Sequence, residues 1–182
     1  MVSLTAGVLT VRYSKFRDRL SHTIGIIHGE TLFPLLESIE GTEQEPWPAS
    51  PPMQQMVEES FSPGASPVLL GVGLSGNGHW STAIETQRDQ LLKFDIACKN
   101  SKSSSWFGSE YRVLAAAQSG ADGSVWMSLD PIQCETRIEI SVPIGQLQFF
   151  VLEQKIRFSP LSDPSDILTH RWCYEIRLLT GH

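Results

Sequence analysis

Four residues of one stretch have the types and spacing of a dinucleotide-binding site. Gly71, Gly73 and Gly76 follow a short apolar run in the pattern G-x-G-x-x-G, and Asp95 lies about where a ribose-binding acid falls in such sites. Glycines at this spacing make a tight turn and let the backbone approach a pyrophosphate, which the next helix binds at its N-terminus. On this interpretation the chain is a nucleotide-dependent enzyme that binds NAD or FAD.

The residues after Gly76 do not favour the helix that this motif needs. Residues 77–82 include a glycine, an asparagine and two small hydroxylated residues, which are poor helix formers. Trp80 places a bulky indole about one turn past Gly76, where the motif packs the helix closely on the strand. The chain after Asp95 supplies strand patterns without the alternating helices that cover a doubly wound sheet.

The same stretch also predicts a β-hairpin, which we prefer. Asn77-Gly78 between two apolar runs is a strong hairpin signal, because both residues accept positive φ. Gly71 and Gly73 are then expected to permit a bulge, a bend or the close approach of another segment. The strands are expected to cover 68–74 and 79–86, with Ser75 to Gly78 as the turn. One face is expected to carry the apolar residues of both strands: Val68, Leu70, Val72 and Leu74 from the first, and Trp80, Thr82 and Ile84 from the second.

The composition indicates one soluble domain. The 182 residues suffice to bury a core without disulfides or metal, and the net charge of -6 argues against general nucleic-acid binding. The N-terminus lacks a signal-peptide pattern and no stretch approaches a membrane span, so we expect a cytoplasmic protein. The three cysteines form no C-x-x-C pair and are expected to be reduced.

Three parts of the chain differ in pattern. Residues 1–42 predict one or two helices, because Tyr13, Phe16, Leu20 and Ile24 recur at helical spacing and Thr31 to Gly41 carries helix start and stop signals. Residues 43–67 are crowded with prolines and predict an extended wrap anchored by Trp47, with an edge strand or a short helix around Met53 and Met56.

Residues 68–182 predict an antiparallel β core. Apolar and polar residues alternate in three segments, and turn residues separate these from further strand candidates. The whole chain is therefore expected to be mainly β within the α+β class: a sandwich or barrel of about eight strands with the N-terminal helices packed on it. The alternating residues are Leu92, Phe94, Ile96 and Cys98; Ile138, Ile140 and Val142; and Trp172, Tyr174, Ile176 and Leu178.

Two groups of side chains are candidates for ligand or partner binding. Asn77, His79 and Trp80 lie beside the glycine-rich turn, and Trp106, Tyr111 and Arg112 follow a serine-rich stretch. Aromatic residues and arginine are enriched at protein interfaces, although a strand can equally draw them into the core. No complete catalytic constellation or metal-ligand spacing accompanies them. We therefore expect a non-enzymatic binding module, with a protein partner or a second copy as its partner.

Overall fold

The computed structural model describes residues 1–41, 48–87, 90–100, 106–120, 125–128, 136–161 and 169–180. Trp47, the expected anchor of the proline-rich segment, and Cys134, one of the three cysteines, lie outside these ranges. The described residues form fifteen strands and one 3₁₀-helix, Val151–Glu153. The strands are β1 Val2–Ala6, β2 Leu9–Phe16, β3 Arg19–His28, β4 Thr31–Ser38, β5 Met53–Glu59, β6 Val68–Ser75, β7 Gly78–Gln87, β8 Leu91–Asn100, β9 Ser109–Val113, β10 Ala116–Ser119, β11 Val125–Ser128, β12 Thr136–Ile144, β13 Gln146–Phe150, β14 Lys155–Ser159 and β15 Thr169–Thr180.

The strands form two antiparallel sheets. The seven-stranded sheet has the order β1-β2-β3-β4-β9-β14-β13, and the eight-stranded sheet has the order β10-β11-β12-β15-β8-β7-β6-β5. Gly145 connects β12 of one sheet to β13 of the other, with a φ of 112°. The β-rich, antiparallel prediction is confirmed. Nowhere in the described ranges is there a helix long and apolar enough to cross a membrane.

The predicted N-terminal helices are wrong, because residues 2–38 form strands β1 to β4. A β-bulge explains the misleading pattern near Pro34. Ile24 pairs with Leu36 and Gly25 pairs with Pro34, so Leu35 is an extra residue in β4. Leu35 and Leu36 are both fully buried as a result. Two adjacent buried leucines imitate a helical stripe, and the bulge also accommodates a proline within the strand.

The proline-rich segment contains an edge strand. Strand β5 pairs only with β6 and ends the eight-stranded sheet. Prolines precede it at Pro51 and Pro52 and follow it at Pro63, so the strand itself keeps all its backbone donors. An edge strand was one of the two alternatives for this segment.

The core lies between the sheets and includes inward-facing side chains of both. The three alternating segments predicted from the sequence are confirmed as strands β8, β12 and β15. Phe94 and Phe158 stack on opposite sides of Tyr174, with ring centroids 4.7 and 3.9 Å from the tyrosine ring. Since Phe158 belongs to the seven-stranded sheet and Tyr174 to the eight-stranded sheet, this stack joins the two layers.

Candidate interaction surfaces

The glycine-rich stretch forms a hairpin, as the preferred interpretation predicts, and its turn comprises Ser75 to Gly78, between the predicted strands. Ser75 pairs with Gly78, which leaves Gly76 and Asn77 as the two loop residues. Gly76 has a φ of 54° and Asn77 does not have a positive φ. A glycine with positive φ at the first of two loop residues is typical of a type II′ turn, so the positive φ lies at Gly76 and not at Asn77 and Gly78, where the sequence signal placed it.

The register of the hairpin fixes which side chains share a face. Gly73 pairs with Trp80 and Gly71 pairs with Thr82, so both glycines face the core. The prediction that Val72 and Leu74 share a face with Trp80 is wrong, because Val72 pairs with Ser81 and Leu74 pairs with His79, which places Trp80 on the opposite face.

Gly71 and Gly73 permit the close approach of β5. A Cβ atom added to Gly73 would overlap the carbonyl oxygen of Pro52 and lie 3.1 Å from Met53 Cα. A Cβ atom at Gly71 would overlap the sulfur of Met56. The expected close approach is therefore present, and it accounts for both glycines through packing.

The geometry of a dinucleotide site is not formed around these glycines. Gly76 is followed by strand β7, so the described stretch supplies no helix N-terminus for a pyrophosphate. Asp95 lies in the middle of β8, where Arg171 Nε donates a hydrogen bond of 2.7 Å to its Oδ1. This partly exposed pair gives the carboxylate a surface role.

We expect NAD and FAD to leave the melting temperature unchanged. A ligand that binds only the native state raises its stability by about 2.7 kcal/mol at 100 times its dissociation constant. Differential scanning fluorimetry at 1 mM of each cofactor measures this effect. A dose-dependent rise in melting temperature that Asp95→Asn abolishes would restore the nucleotide interpretation.

Three large apolar side chains are exposed on the outer face of strands β5 and β6. Val57, Val72 and Leu74 are 51%, 53% and 56% exposed, and we call this set the β5–β6 surface. Leu70 pairs with Val57 and belongs to the same face as Val72 and Leu74. Phe61, 75% exposed, follows β5 in the chain. Contiguous exposed apolar side chains are typical of interaction sites.

The β5–β6 surface borders the open edge of the eight-stranded sheet. No strand in the described ranges pairs with the outer side of β5. The Gln54 side chain fixes this edge: its Nε2 donates to Leu74 O at 2.9 Å, and Leu74 N donates to its Oε1 at 2.8 Å. Edge strands present unpaired backbone groups to other chains. This edge therefore combines an ordered backbone with exposed apolar side chains.

The predicted residues of the turn lie on both sides of the hairpin. His79 is exposed and pairs with Leu74, so it borders the β5–β6 surface, and Asn77 is exposed in the turn. Trp80 is buried, with its ring 6.0 Å from that of Trp172 and 6.3 Å from that of Phe107. The turn and the Trp106 segment therefore meet inside the core, through Trp80 and Phe107.

Trp106 takes part in a second cluster, on the seven-stranded sheet. The Arg157 guanidinium carbon lies 4.4 Å from the Trp106 ring centroid and 5.1 Å from that of Phe150. Arg157 Nε donates a hydrogen bond of 2.7 Å to Glu110 Oε1. A hollow of about 50 Å³ beside the cluster is far below the several hundred Å³ of small-molecule sites. This cluster holds the Trp106 segment against β14.

The other two predicted residues of this segment have different environments. Arg112 is exposed, and its Nη1 donates a hydrogen bond of 2.8 Å to Glu37 Oε2. Tyr111 is fully buried, so its side chain belongs to the core. Of the residues in this candidate site, Arg112 is thus exposed, Trp106 is partly exposed and Tyr111 is buried.

Tyr111 belongs to a buried hydrogen-bonded network that the sequence does not predict. Its hydroxyl lies 2.6 Å from His22 Nε2 and 2.5 Å from the Tyr174 hydroxyl. Trp172 Nε1 donates a hydrogen bond of 3.1 Å to Ser109 Oγ, and Ser109 also bonds Tyr174. These residues are 63 to 89 positions apart in pairs, so no local spacing identifies them.

Burial shifts the pKa values of the ionisable groups in and beside this network. It lowers the pKa of His22 to about 3, so the ring is neutral, and it raises the pKa of Tyr174 above its usual value, so this phenol stays protonated. Beside them, burial raises the pKa of Glu40 to about 7. A neutral histidine between tyrosines provides structural hydrogen bonds, and no described side chain makes it part of a catalytic triad. The described residues also contain no cluster of three or more potential metal ligands.

The chain matches no protein-family model, no curated protein and no solved structure.

Proposed function

We propose that this protein is a non-enzymatic binding module that takes an extended segment of a partner protein along the edge of β5. The observation that carries the proposal is the exposed apolar row Val57, Val72 and Leu74 beside an open sheet edge. An added strand gains affinity from backbone hydrogen bonds and specificity from alternate side chains. The partner's apolar side chains would cover the β5–β6 surface.

The charges of β5 select the partner's chemistry. Glu58 and Glu59 are exposed at the C-terminal end of the strand, while the N-terminal end carries neutral Gln54 and Gln55. A partner strand with lysine or arginine opposite the two glutamates would complement this charge and would exclude acidic segments. The proposed partner is therefore an extended segment with alternating apolar residues and a basic residue at the end that lies opposite Glu58 and Glu59.

Two matched peptides test the proposal. The peptide KTVTVTVTK has the proposed chemistry, and ETVTVTVTE differs only in its charge. We expect the basic peptide to shift the backbone amide NMR signals of β5 and to do so far more strongly than the acidic peptide.

Substitutions on the surface locate the binding. Leu74→Lys and Val57→Lys should each weaken binding of the basic peptide at least about tenfold. Each substitution places a charge in the apolar row, at a cost of about 1.4 kcal/mol or more in binding free energy. Leu152→Lys is the control, since Leu152 is fully exposed outside this surface, in the 3₁₀-helix between β13 and β14. Equal binding of both peptides, or binding that neither surface variant weakens, contradicts the proposal.

A further inference from the structure

A small hollow lies in the core, between the two sheets and next to the buried network. Its volume is about 10 Å³. Tyr13, His22 and Ser109 line it from the seven-stranded sheet. Thr82, Tyr174, Met53 and Ile96 line it from the eight-stranded sheet, and Pro51 lies beside them. The lining is thus polar over much of its extent, although it lies among apolar core residues.

Thr82 gives this hollow an unusual chemical feature. Its side chain is 6% exposed, and its Oγ1 atom has no hydrogen-bond partner among the described residues. The Cγ2 methyl group faces Gly71, whose added Cβ atom would lie 2.7 Å from it. Buried hydroxyl groups in native proteins nearly always have a partner, either in the protein or in ordered water.

We infer that the hollow binds a single ordered water molecule, which hydrogen-bonds Thr82 Oγ1. A buried water needs roughly 10 to 15 Å³ of accessible volume and two to four polar partners. The volume meets the lower end of this range, and three residues that carry hydroxyl groups, Tyr13, Ser109 and Tyr174, are among those that line the hollow. The same volume excludes any organic ligand, so this is a solvent site that completes the hydrogen bonding of the core.

Crystallography of the wild-type protein at about 1.8 Å or better tests the inference. We expect a water peak within about 3.2 Å of Thr82 Oγ1, the usual limit for such a bond. Thr82→Ser keeps the hydroxyl and should keep the peak, whereas Thr82→Val keeps the shape and should lose it. An empty hollow in the wild-type protein, or an undiminished peak in Thr82→Val, overturns the inference.

A solution measurement decides the outcome if a variant fails to fold or crystallise. Water-to-protein nuclear Overhauser effects in the wild-type protein should reach protons of Thr82 and Ile96, which line the hollow. Such effects are expected only from a water that stays bound far longer than surface water. Their absence from both residues overturns the inference.

Discussion

The Glu40→Gln variant should lose about 3 kcal/mol of stability as the pH falls from 6.5 to 4, whereas the wild-type protein should change little down to pH 4.5. The reason is His22, whose pKa is lowered by burial from 6.5 to about 3 in the folded state. Below pH 6.5 the unfolded chain binds a proton that the folded protein does not. The stability from this group is therefore present above pH 6.5 and is lost as the pH falls towards 3.

Glu40 opposes this effect in the wild-type protein. Burial raises its pKa from 4.5 to about 7, and Ser38 Oγ donates a hydrogen bond of 2.6 Å to its Oε1. Its contribution is fully present below pH 4.5 and is lost as the pH rises through about 7. Between pH 4.5 and 6.5 the two groups therefore change stability in opposite directions by about 1.4 kcal/mol per pH unit each. Glutamine at position 40 does not titrate, so the Glu40→Gln variant keeps only the pH dependence of stability that His22 causes.

Urea denaturation at pH 6.5, 5.5, 4.5 and 4 measures the difference between the two proteins. Glu37→Gln is the matched control, because Glu37 is exposed in strand β4 and should leave the wild-type pH profile unchanged. A profile for Glu40→Gln that runs parallel to the wild-type profile would show that the two groups do not compensate in this way.

Gly73→Ala should destabilise the protein by about 3 kcal/mol, the upper part of the range for overpacked sites. The added methyl group would overlap the carbonyl oxygen of Pro52, which belongs to the backbone and cannot move as a side chain does. Relief of the overlap requires Pro52 and the start of β5 to shift away from β6. Thermal denaturation gives the stability, and hydrogen exchange of the β5 amides shows whether this edge opens.

Gly29→Ala separates the steric effect from the general cost of replacing a glycine. Gly29 has a φ of 62°, and a Cβ atom there would have no neighbour within 4 Å. Its replacement should cost only about 1 kcal/mol, from the left-handed backbone. Equal losses for the two variants would contradict the packing role of Gly73.

Strands β8, β12 and β15 were predictable because apolar and polar residues alternate along them. Strand β8 shows this most simply, since Leu92, Phe94, Ile96 and Cys98 are all buried and alternate with more exposed residues. The N-terminal strands were not predictable in the same way. Leu35 and Leu36 are adjacent and both buried only because of a bulge, and a bulge depends on the partner strand.

The candidate surfaces were predictable only in part. The glycine-rich turn drew attention to His79, which does border the β5–β6 surface, but the exact register decides that Val72 and Leu74 face outward. Their exposure follows from the register, in which Val72 pairs with Ser81 and Leu74 pairs with His79 rather than either with Trp80. The contacts of Tyr111 with His22 and Tyr174 come from distant parts of the chain, so only the assembled sheets show them.

The hydrogen bonds of the buried network also limit how the two layers can slide over each other. Apolar contacts are not directional, so two apolar surfaces can shift laterally at little cost in free energy. Tyr111 and Ser109 belong to one sheet, while their partners Tyr174 and Trp172 belong to the other. Such bonds weaken steeply when their angles change. These hydrogen bonds therefore fix one lateral alignment of the two sheets, whereas apolar packing alone would allow many.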